Sequence, residues 1–79
     1  MSDKAQNAGW VVIVVTPRLG GGRPMFEVYD AAIPTKADAE ALVSKMVSAG
    51  PDTIVEAVAE LSSPGIDSIG LKLGAARSR

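Results

Sequence analysis

The chain has 79 residues, 47% of them hydrophobic, and a formal net charge of −1. That length suits one domain and not two, with a small core and a thin stability margin. Cysteine and histidine are both missing, which excludes disulfide scaffolds, thiolate-held zinc, iron–sulfur clusters, thiol nucleophiles and imidazole acid–base chemistry.

No acidic calcium loop occurs in the sequence, so neither a cofactor nor a metal site is expected. The balanced charge argues against nucleic acid as a partner, because phosphate contacts call for a basic excess. The distribution is uneven. Residues 30–67 carry seven acids against Lys36 and Lys45, while residues 68–79 carry Lys72, Arg77 and Arg79 with no acid. The plain explanation is a solvated acidic face and a basic tail; the sharper one is a chain that docks charge to charge.

In chain order, residues 1–9 are small and polar and are expected to be disordered. They contain no signal-peptide pattern. The longest wholly apolar run, Trp10 to Val15, falls far short of the ~20 residues a membrane helix needs. A cytoplasmic protein without a membrane partner is therefore expected. Trp10–Thr16 is β-branched and aromatic nearly throughout and predicts a central strand. Two prolines bracketing Gly20, Gly21 and Gly22 predict a loop, and Met25–Asp30 then predicts a second strand, antiparallel to the first.

Thr35-Lys-Ala-Asp38 resembles a helix-capping box, and Ala39, Leu42, Val43, Met46 and Val47 form one helical stripe. Gly50-Pro51 predicts the stop. Thr53 and Glu56 repeat the capping-box spacing, and Ile54, Ala57, Val58 and Leu61 form a second stripe, which favours a second helix over a strand. Ile66–Leu73 alternates apolar and polar residues as a half-buried strand would, and Gly74–Arg79 reads as a flexible tail.

The expected fold is an α+β two-layer sandwich. A three-stranded sheet carries two helices on one face in the order β-β-α-α-β, with residues 10–73 as the single domain; the alternative order is β-β-α-β-β with one helix. Because side chains alternate along a strand, Val11, Ile13, Val15, Phe26, Val28, Ile69, Leu71 and Leu73 are expected to receive the helices. Trp10, Val12, Val14, Met25 and Tyr29 would then form an uncovered apolar face, the candidate interface of a homodimer or of a contact with another protein. On that basis Val12→Glu should leave a folded protein that self-associates less.

Arg18-Leu-Gly-Gly-Gly-Arg23 is the other candidate site. Glycines let a backbone approach an anion, and paired arginines can clamp one. With Lys72, Arg77 and Arg79 they define an alternative role in binding anionic ligands or nucleic acid. Neither a Walker loop nor a dinucleotide fingerprint is present, however, and a plain flexible hairpin loop is the preferred explanation of the stretch. Glu56 and Glu60 would share an exposed helix face, which offers no means of separating their pKa values for catalysis. The leading expectation is a small non-catalytic domain acting through protein–protein contact.

Overall fold

The computed structural model describes residues 7–18 and 20–79. Its elements run β1 (Asn7–Thr16), β2 (Met25–Ala31), α1 (Lys36–Met46), β3 (Ile54–Ser62), α2 (Ser63–Ile69) and β4 (Ala76–Ser78). The four strands form one antiparallel sheet in the order β3-β1-β2-β4. The expected three-stranded sheet is thus replaced by a four-stranded one.

β1 and β2 form the expected hairpin, in unbroken register from Trp10 opposite Ala31 to Thr16 opposite Met25. α1 also forms where its stripe predicts, burying Ala39 and Val43. Thr35 is its N-cap by backbone conformation, but its side chain makes no capping hydrogen bond. The helix stops before Gly50. Ser48 takes the left-handed conformation, with φ 53°, while Ser48 N–H donates to the Lys45 carbonyl and Ala49 N–H to the Ser44 carbonyl. This is the two-bond closure that normally recruits glycine.

The predicted second helix is strand β3. The Thr53 hydroxyl does not cap a helix; it accepts from Gly50 N–H at 3.1 Å, and Thr53 N–H donates to the Gly50 carbonyl at 3.1 Å. That tight turn sends the chain back antiparallel to β1. The pairing then outweighs the helix propensity of the alanines and glutamates, as tertiary context does for weak local preferences. Val58 is the extra residue of a bulge, since Val11 lies opposite Ala59 and Val12 opposite Ala57.

The predicted strand over Ile66–Leu73 is replaced by α2 and the turn after it. The Ser62 hydroxyl accepts from Gly65 N–H at 3.3 Å, proline sits in the first turn, and Gly70 closes the helix at φ 70°. Serine cap, early proline and glycine stop are a complete set of helix boundaries compressed into a few residues. The tail is not loose either. β4 pairs with β2, and Arg79 N–H donates to the Val28 carbonyl at 2.8 Å. Of the segment expected to be disordered, residues 7–9 belong to β1 and residues 1–6 lie outside the described residues.

The two helices lie on opposite sides of the sheet. α1 packs on Val12, Val14, Ala31 and Ala57, with Trp10, Tyr29 and Val55 around them. α2 lies over the other side, at the end where β1 begins. There Ile66 abuts Gly9, and Ile69, Leu61 and Asp30 line one cleft.

Candidate functional site

The register settles which side chains share a face. Trp10, Val12 and Val14 of β1 lie beside Tyr29 and Ala31 of β2 and beside Val55 and Ala57 of β3. All seven belong to the core under α1, where Val12 is 0% exposed. The expected assignment of faces is therefore reversed. Val12 and Val14 are buried, Trp10 and Tyr29 are half-buried against the core, and Met25 is exposed at the hairpin end. The reason is that β1 is apolar on both sides, so alternation alone does not orient it. Trp10 supplies a contact that does: its Nε1–H donates to the Pro34 carbonyl at 2.9 Å, just before α1, and the Lys36 ammonium lies 5.9 Å from the ring centroid.

The opposite face is left partly bare. Ile54, Val15 and Phe26 form one cross-strand row, and Glu56, Ile13 and Val28 form the next. Phe26 is 66% exposed and Ile54 56%, with Ile13, Val15 and Val28 half-buried between them. Glu56 sits at the rim, on an edge strand. In the third row Ala59 and Val11 lie beside Asp30 and Arg77, and there α2 takes over as cover. The face thus resembles a step, raised at the α2 end and low at the hairpin end.

The bulge also separates the paired glutamates. Glu56 lies opposite Ile13 and Glu60 opposite Trp10, so they project from different faces. Among the described residues the outer edge of β3 has no strand partner. One of its amides, Ala57 N–H, instead donates to a Glu40 carboxylate oxygen at 2.8 Å. A charged side chain from α1 thereby occupies an edge that could otherwise template further pairing.

The candidate arginines divide into two places. Arg18 and Arg23 are exposed in the hairpin connection; Leu19 between them lies outside the described residues. Lys72 is exposed after α2. Arg77 and Arg79 instead converge on Asp30, at the far end of β2. Arg79 grips that carboxylate through Nη2 at 2.6 Å and Nε at 3.4 Å, and Asp30 is only 7% exposed. The hydrogen bond and the neighbouring charge hold the Arg79 guanidinium above its usual pKa. Arg77 Nη2 donates to the Ile69 carbonyl at the end of α2. Composition alone could not reveal this cluster, because it depends on β4 pairing with β2.

Among the described residues no three acidic or other metal-ligating side chains gather into a group. No helix among them is long and apolar enough to cross a membrane. Comparison with known proteins finds no matching family model, no matching curated protein and no matching solved structure.

Proposed function

We propose that this is a non-catalytic domain that self-associates through the bare part of its sheet, with Ile13, Val15, Phe26, Val28 and Ile54 as the contact. The supporting observation is the row Ile54–Val15–Phe26, which places two largely exposed apolar side chains on either side of a third across three hydrogen-bonded strands. An apolar patch continuous across strands is a contact surface more often than scattered apolar residues are.

The stepped shape favours a second copy as the occupant. A two-fold axis lying in the contact plane, perpendicular to the strands, turns one step round against the other. The low hairpin end of each copy then meets that of its partner, and each α2 abuts the partner's outer end. An isologous contact of this kind needs one patch used twice. Five side chains make a contact smaller than the ~800 Å² per partner of standard interfaces, so the dimer should be weak, with a dissociation constant on the order of micromolar or above.

Sedimentation equilibrium up to about 1 mM tests the proposal, since that range covers weak dimers. The expected result is a concentration-dependent shift from monomer to dimer that Ile13→Glu and Phe26→Glu both abolish while leaving the fold intact. A monomer throughout the range, or a dimer indifferent to both substitutions, rejects it.

A further inference from the structure

The Asp30 cluster forms one side of a cleft of about 400 Å³ between α2 and the sheet. Small-molecule sites span ~300–1,000 Å³, so the cleft is at the small end of that range and suits a small organic molecule. We infer that this cleft binds a small monoanion with an apolar body, a short-chain or aromatic carboxylate, on the Arg77 guanidinium.

Charge is the first support. Among side chains, Arg77 and Arg79 line the cleft against a single acid, Asp30, an excess of one positive side-chain charge. Arg79 is committed to Asp30, which is the one ion pair among the described residues. Arg77 holds only a neutral carbonyl, that of Ile69. A guanidinium offers five N–H donors in a planar fork that matches a carboxylate bidentately, so this contact leaves most of the fork unspent.

The second support is the apolar part of the lining. Leu61 and Ile69 contribute it beside the arginines. A dianion such as phosphate would carry more charge than the excess and would leave that apolar lining facing a polar group. A carboxylate joined to a hydrocarbon body suits both parts of the lining at once.

The third is position. Asp30 and Arg79 tie β4 to β2, while Arg77 ties β4 to the end of α2. The cleft is therefore bounded by elements fixed to one another, which limits the ordering cost of binding. Arg18 and Arg23 lie beyond the other end of the hairpin; Met25, where β2 begins, is already about five residues from Asp30, or roughly 16 Å at ~3.3 Å per residue.

Hexanoate, benzoate and inorganic phosphate serve as probes, titrated separately into the intact chain while backbone amide shifts are followed by NMR. The expected result is saturable shifts confined to Leu61, Ile69, Arg77 and their neighbours for both carboxylates, with phosphate at least several-fold weaker. Arg77→Gln should weaken the carboxylates about tenfold, equivalent to ~1.4 kcal/mol. Shifts that fail to saturate, that centre on Arg18 and Arg23, or that follow hexanoate onto Phe26 and Ile54 overturn the assignment. Should Arg77→Gln disturb α2, Arg77→Lys keeps the charge without the fork, and affinity equal to that of the unmutated chain then counts against a bidentate grip. A chain that binds no carboxylate at all also refutes it.

Discussion

β1 presents two apolar faces of nearly the same composition, and they have opposite fates. Val12 and Val14 are sealed under α1, whereas Val11, Ile13 and Val15 remain half-buried on the face that α2 covers only at one end. Apolar character along a strand therefore says that the strand is central without saying which side faces the core. The decision comes from the neighbours: Trp10 reaching Pro34, the small Ala31 and Ala57 giving α1 close approach, and Asp30 and Glu56 on the other side.

The sharpest way to break this comparison is to place the same charge on each face. Val12→Glu buries an unpaired carboxylate under α1 and should cost about 3–5 kcal/mol, comparable to the lower end of a domain's margin of ~5–15 kcal/mol; chemical denaturation should find the stability reduced by that amount. Ile13→Glu, one residue on, should unfold within about 1 kcal/mol of the unmutated chain. Unreduced stability in Val12→Glu would show that the faces are assigned backwards.

The next largest effect tests where α2 meets the sheet. A Cβ built on Gly9 would lie 2.2 Å from the Ala31 carbonyl oxygen and 2.8 Å from Ile66 Cδ1. Gly9→Ala should therefore destabilise by about 1–3 kcal/mol through overpacking against backbone that cannot yield. Wild-type stability in that variant would mean that β1 and α2 are further apart than described.

Glu40→Ala removes the acceptor for Ala57 N–H and should cost about 1–2 kcal/mol. It should also raise light scattering on storage, because the bare β3 edge becomes open to pairing. Ser62→Ala deletes the N-cap of α2 and should cost about 1 kcal/mol, with faster amide exchange confined to α2 and the cleft. Smallest, and of opposite sign, is Ser48→Gly. It relieves the left-handed φ at the end of α1 and should stabilise by about 0.5 kcal/mol; a loss of stability would show that the closure depends on the serine.

The hairpin and α1 were legible because their signals are local and agree with one another: β-branched runs, a proline- and glycine-rich connection, and a clean helical stripe. From Thr53 onward local signals compete. Thr53 and Glu56 have capping-box spacing, yet the hydroxyl is used backward to close the turn on Gly50. Ser62-Ser-Pro-Gly65 punctuates the chain, and punctuation can end one element or begin the next; here it begins α2. Ile69, Leu71 and Leu73 alternate as on a strand, while Ile66 and Ile69 are spaced three apart as on a helix, so the segment serves either reading. The bulge at Val58, which sends Glu56 and Glu60 to different faces, has no local mark at all. A partly bare apolar sheet face was expected, but the structure has it on the other side of the sheet. The arginine cleft required β4, which the tail's composition hid.

The joint between Trp10 and Pro34 has a practical consequence. Trp10 is the chain's one tryptophan, and it lies where the helix is fastened to the sheet, hydrogen-bonded and beside the Lys36 ammonium. Its fluorescence is thus a built-in gauge of whether that fastening holds. The gauge is blind to the far surface of the sheet. A substitution there that separates two copies without loosening the fold should leave the emission spectrum unchanged, while any substitution that undocks the helix should shift it to the red.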